Sequence, residues 1–175
     1  MKTIKQYLVL CLIIFSPALF AAETPIGQAV EKNGMEIGAV YLQTVMMDPE
    51  MPHMPGPADI HLEADIHAVK GNQNGFGVGE WIPYLQVAYH LKKIGSEWRK
   101  TGILMPMVAS DGPHYGENVK LDGAGKYEVT FHINPPPYQG FVRHVDKETG
   151  VGKWFAPFDV TWHFVYLGTG KKGGY

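Results

Sequence analysis

Residues 59 to 67 run Asp59-Ile60-His61-Leu62-Glu63-Ala64-Asp65-Ile66-His67, and this unbroken alternation admits a β-strand and little else. Successive side chains of a strand point to opposite faces. Ile60, Leu62, Ala64 and Ile66 therefore share one face, and Asp59, His61, Glu63, Asp65 and His67 share the other. The first face belongs to a core. The second is a row of carboxylates and imidazoles, the donors that divalent transition metals take. A polar face turned to solvent, as most antiparallel sheets have, is the bland alternative. Just upstream, Met46-Met47-Asp48-Pro49-Glu50-Met51-Pro52-His53-Met54 adds thioethers and a further imidazole.

The first residues read as a secretory signal peptide. Lys2 and Lys5 precede an apolar stretch from Tyr7 to Phe15, and Ala18 to Ala22 supplies small residues for cleavage after Ala21 or Ala22. The stretch is short of the roughly 20 residues that span a bilayer. Residues 1–21 are thus expected to be removed, leaving residues 22–175 as one periplasmic domain with no membrane insertion of its own. The only cysteine, Cys11, lies inside the leader behind Leu10, a poor context for lipid attachment. A mature chain without cysteine has no disulfide, no thiolate ligand and no cysteine nucleophile. Losing Lys2 and Lys5 takes the net charge from −2 to −4, which gives nucleic acid no electrostatic footprint.

The 21 Gly and 13 Pro punctuate the chain into short segments. Strands are predicted from Met35 to Val45, Asp59 to Val69, Tyr84 to Leu91, Trp98 to Val108 with a break near Pro106, from Lys126 onward, and from Val160 to Leu167. Ser110-Asp111-Gly112-Pro113-His114-Tyr115-Gly116 reads as a turn. Leu121-Asp122-Gly123-Ala124-Gly125-Lys126-Tyr127-Glu128-Val129 resembles the tyrosine corner of immunoglobulin-like domains, with Val129 in place of the second Cys. Seven to nine short strands without a long helical period predict an all-β, immunoglobulin-like β-sandwich. Its core should include Ile60, Leu62, Ile66, Tyr127, Val129, Phe131 and Trp162.

His61 and Glu63, roughly 7 Å apart along one strand face, can converge on one ion. Met107 and His114 flank the predicted turn. A thioether favours Cu(I), whereas imidazole suits copper, zinc and iron alike; Met107 as core filler is the ordinary alternative. His144 in Phe141-Val142-Arg143-His144-Val145-Asp146 fits a solvent-exposed loop as well as a ligand. His67, His90, His132 and His163 read as structural or surface residues. No G-x-S-x-G elbow, P-loop, H-E-x-x-H or dinucleotide fingerprint occurs, so no enzyme is indicated.

Several blocks together resemble the periplasmic iron-transport protein family. They are Met51 to His67, Gly75 to Leu85, Leu104 to Gly116, the strand from Gly125 through Pro136, and Trp154 to Phe158. Members are secreted or lipid-anchored and include the soluble partner of a bacterial iron permease and a spirochaete metal-binding antigen. The resemblance implies an immunoglobulin-like homodimer that binds copper and ferrous iron, or manganese in its place, and assists an inner-membrane iron permease. It implies His61, Glu63, Met107, His114 and His144 as metal ligands, near the dimer interface and drawn from both subunits. A copper chaperone or resistance protein remains the alternative, supported by the Met46 to Met54 segment. An interaction module with incidental histidines is the third.

Overall fold

A computed structural model of the chain describes residues 23–49 and 57–168. The signal peptide, Cys11, Met51, His53 and Met54 lie outside these described residues. Within them are nine strands: β1 (Thr24–Pro25), β2 (Val30–Lys32), β3 (Met35–Leu42), β4 (Ile60–Ala68), β5 (Gln86–Lys93), β6 (Arg99–Ala109), β7 (Gly112–Val119), β8 (Gly125–Asn134) and β9 (Phe158–Tyr166). One short 3-10 turn spans Pro136–Gln139. No described helix is long and apolar enough to cross a membrane.

The strands form one antiparallel sheet in the order β1-β3-β4-β7-β6-β5-β8-β9, with β2 also on β3. The all-β expectation holds. Two separate stacked sheets are not what the hydrogen bonds make, because β6 joins both halves. Its first part pairs with β5 through Leu104, and its second pairs with β7 from Met105 onward. Pro106 sits just past this handover, where β6 has only β7 as partner and a missing N–H costs least. The expected break is therefore a change of neighbour within one continuous strand.

The sheet curls strongly into a half-barrel, and its two ends meet. Tyr41 of β3 packs on Phe164 (5.6 Å between ring centroids) and Tyr166 (6.2 Å) of β9. Trp162 Nε1 donates to the carbonyl of Gln28 at 2.8 Å. The enclosed core holds Ile60, Leu62 and Ile66 of β4, Leu85, Val87, Tyr89 and Leu91 around β5, and Tyr127, Val129 and Phe131 of β8. All seven expected core residues are buried. The Tyr127 hydroxyl donates to the Gly123 carbonyl at 2.6 Å, as the corner pattern predicts.

Candidate metal centre

β4, β7 and the second half of β6 lie side by side, and alternation along each sends one set of side chains into a common cleft. β4 supplies His61 and Glu63; β7 supplies His114, Gly116 and Asn118; β6 supplies Met107. Register aligns them: His61 faces Asn118, Glu63 faces Gly116, and Met107 faces His114. Glu63 Oε1 lies 3.4 Å from His61 Nε2 and 3.4 Å from His114 Nε2. The ligand atoms of His61, Glu63 and His114 all fall within 4.8 Å of one another. Relative exposure is 0% for His61, 4% for Glu63 and 6% for His114, so the polar face of β4 is covered at His61 and Glu63 and half-buried at Asp65 and His67.

Met107 enters this centre through a gap at Gly116. A Cβ there would stand 2.5 Å from His61 Nε2 and 3.2 Å from Met107 Sδ. Only glycine leaves room for the thioether and the imidazole to approach the same point.

His61 is held in one tautomer. Asn118 Nδ2 donates to the Val45 carbonyl at 2.7 Å, which turns Asn118 Oδ1 toward Val45 N (3.2 Å) and His61 Nδ1 (3.0 Å). An amide oxygen only accepts, so Nδ1 carries the ring hydrogen and Nε2 is a bare lone pair. That Nε2 is buried and has no hydrogen-bond partner among the described residues. Such an orphan costs about 1–3 kcal/mol, and a bound cation is the partner its chemistry calls for.

Burial sets the protonation of His61 and Glu63. Burial pushes the Glu63 carboxyl up to about 8, reinforced by Asp65, Glu23 and Asp111. Burial pushes His61 down to about 4; the Asn118 bond opposes this, and His114 adds to it. Both partners are then neutral despite their proximity. Asp65 and Glu23 are also raised, again chiefly by burial. The surrounding cleft, about 580 Å³, has Met46, Met47, Met105 and Asp111 in its wall and no Lys or Arg among the described residues that line it. A cleft of carboxyls, imidazoles and sulfur with no Lys or Arg among its described lining offers a cation the donors it takes.

Of the five expected ligands, one chain brings together His61, Glu63 and His114 with Met107 beside them. His144 is not among them. It sits in the loop after the 3-10 turn, its side chain 73% exposed, with Nδ1 2.7 Å from Thr149 Oγ1. His114 is also not in a turn: the turn is confined to Ser110 and Asp111, and Gly112 already begins β7. His132 and His163 are exposed and bonded to Asp159 (2.6 Å) and Glu128 (2.9 Å). Sequence reasoning missed Gly116 and Asn118. Their signal was the alternation His114-x-Gly116-x-Asn118, hidden by taking Gly112-Pro113 and Gly116 as turn residues.

The chain is similar to known proteins over most of its length. The family model described as "Fe2+ transport protein" matches residues 20–168. A UPF0423 protein of Brucella abortus is 54% identical over 159 residues, 89% of this chain and 87% of that protein. A copper-bound variant of FetP from uropathogenic Escherichia coli is 55% identical, with a TM-score of 0.80 over 84% of this chain and 99% of that one. The copper-reconstituted P19 protein of Campylobacter jejuni is also 55% identical, with a TM-score of 0.82 over 86% of this chain and 99% of that one. With a buried His61–Glu63–His114 centre and a match spanning all of its described residues, the chain is a periplasmic metal-binding protein that belongs to the Fe2+ transport protein family.

Proposed function

We propose that the centre takes copper on His61 Nε2, His114 and Met107, completed by His144 of a second copy, and that Glu63 adds the hard oxygen that ferrous or manganous ion needs. The observation that carries this is the convergence of two buried imidazoles and a carboxyl at a gap shared with a thioether. Imidazole with thioether selects copper, and carboxylate favours the harder ions. His144 supports a homodimer because it offers an exposed imidazole that its own chain does not bring to the cluster. The family's description supports iron as cargo delivered to an inner-membrane permease. The copper-bound FetP and P19 structures support copper in the centre.

The same reading takes residues 1–21 as a cleaved leader and residues 22–175 as one immunoglobulin-like domain. Strand order supports it: divided where β6 changes partner, the sheet runs β3-β4-β7-β6 and β5-β8-β9, the A-B-E-D and C-F-G order, with Tyr127 as the corner. A copper-handling role is the second reading, favoured by Met46, Met47 and Met105 in the cleft wall. Metal analysis of protein purified from the periplasm, with titration of the metal-free form by Cu(I), Cu(II) and Mn(II), tests the site. Binding of both metal classes, each weakened by His61→Ala, is expected. Unaltered binding in that variant would move the site elsewhere. Growth of a deletion strain under iron chelation against copper stress separates iron uptake from copper handling.

A further inference from the structure

The loop that carries His144 is organised by one carboxylate. Asp146 Oδ1 accepts from the backbone N–H of Glu148 (3.1 Å) and of Thr149 (2.8 Å). Gly150 N donates to the Asp146 carbonyl at 3.0 Å, and Val151 N donates to the His144 carbonyl at 3.1 Å. The other carboxylate oxygen, Oδ2, lies 2.7 Å from Thr149 Oγ1, which in turn lies 2.7 Å from His144 Nδ1. A hydroxyl has one hydrogen, and a carboxylate has none to give. The Thr149 hydrogen therefore goes to Asp146, and Oγ1 accepts from His144. The ring hydrogen must sit on Nδ1, which leaves Nε2 as a lone pair on an exposed side chain.

A free neutral histidine side chain favours the opposite tautomer, with hydrogen on Nε2. The Asp146–Thr149 pair reverses that preference, and closing the turn does not require it, because the backbone bonds on Asp146 Oδ1 already do so. Asn118 produces the same state at His61. We propose that Asp146 and Thr149 are positioning residues that hold His144 as an Nε2 donor for the metal of a second copy. This rests on His144 being a ligand, as proposed above. Partners of this kind fix ring orientation and tautomer at metal sites, and their loss costs roughly 10–100-fold in affinity.

Asp146→Asn separates this role from a structural one. The Asn side chain keeps an oxygen for the two backbone N–H groups and turns its NH2 toward Thr149. The hydroxyl hydrogen, no longer held by a carboxylate, is then free to turn to His144 Nδ1, and the ring can return to its preferred Nε2–H tautomer. Two-bond proton–nitrogen spectra of the metal-free protein at pH 8 read the tautomer, with His144→Ala assigning the signal. Wild type and Thr149→Ser should show Nδ1–H, and Asp146→Asn should show Nε2–H with an unchanged melting profile. Copper affinity of the dimer, by competition with a chelator, should fall at least about tenfold in Asp146→Asn and Thr149→Val and stay near wild type in Thr149→Ser.

A ring that remains Nδ1–H in Asp146→Asn overturns the relay. A ring that switches while copper affinity stays at the wild-type value, with His144→Ala still impaired, overturns its role in binding. If His144→Ala itself binds copper as wild type does, His144 is no ligand and the proposal falls with it. The tautomer spectrum then tells that failure apart from failure of the relay.

Discussion

Replacing Glu63 by Gln in the metal-free protein removes a titrating group while keeping its shape, and its effect can be worked out against pH. The carboxyl has an unfolded value of 4.5 and a folded value of about 8. A group raised in this way stabilises the fold while protonated; the contribution is full below pH 4.5 and is lost as pH rises through 8. His61 runs the other way, from 6.5 to about 4, so its contribution is present above pH 6.5 and lost as pH falls toward 4. At about 1.36 kcal/mol per unit, Glu63 gives up about 2 kcal/mol between pH 6.5 and 9, and His61 returns less than about 0.5. Between pH 4.5 and 6.5 the two slopes cancel. Taken alone, the pair gives wild type a plateau there and an alkaline decline of about 2 kcal/mol. Glu63→Gln should be flat on the alkaline side and expose an acid loss of about 2–3 kcal/mol from His61 alone. Asp65 and Glu23, also raised by burial, tilt both proteins alike and drop out of the difference. Urea titrations followed by tryptophan fluorescence at a series of pH values give the curves. Parallel curves for the two proteins from pH 6.5 to 9 would mean that Glu63 is already ionised at pH 6.5, and the reasoning would fail.

Met107→Leu keeps the volume but loses the soft donor, so Cu(I) affinity should drop more than about tenfold while Mn(II) changes little; competition titrations measure both. Gly116→Ala puts a methyl 2.5 Å from His61 Nε2; copper binding should be lost with near-ultraviolet circular dichroism largely preserved. Tyr127→Phe removes the 2.6 Å bond to Gly123 and should cost about 1 kcal/mol in urea denaturation without altering metal binding. Manganese bound through Glu63 at pH 7 should release close to one proton, seen as a buffer-dependent heat in calorimetry, and Glu63→Gln should release none.

The strand at Asp59–His67 and its two faces were legible because alternation is a local property. His61 and Glu63 followed directly. Burial of their face was not legible, since the cover comes from distant segments: the stretch after β3, which Asn118 ties down at Val45, and the β6–β7 hairpin. His114 was identified by type but given a turn, because Gly112 and Pro113 are the residues that usually make one. In the fold Gly112 and Pro113 pair with Ala109 and Val108 as the first rungs of the hairpin. Gly116 was invisible as a site residue for a different reason. Its contribution is an absent Cβ, and only the approach of Met107 and His61 gives that absence meaning. The curl that brings β3 against β9 is likewise non-local and left no mark on either strand alone.

Building the centre on paired strands has a consequence for selectivity. His61, His114 and Met107 each stand on a strand whose neighbours fix its position, and Asn118 locks one ring further. Glu63 has more rotatable bonds than either histidine and is charged only when it loses a proton. The rigid donors are those that suit copper, and the adaptable one suits the harder ions. One cleft can therefore discriminate by whether Glu63 is recruited, and recruitment carries the cost of deprotonating a carboxyl held near 8. On the proposed reading, hard-ion binding would be tied to pH in a way that copper binding on imidazole and sulfur is not, down to the range where imidazoles protonate. On the same proposed reading, a carrier with this arrangement would release a hard ion where protons are plentiful and keep copper under the same conditions.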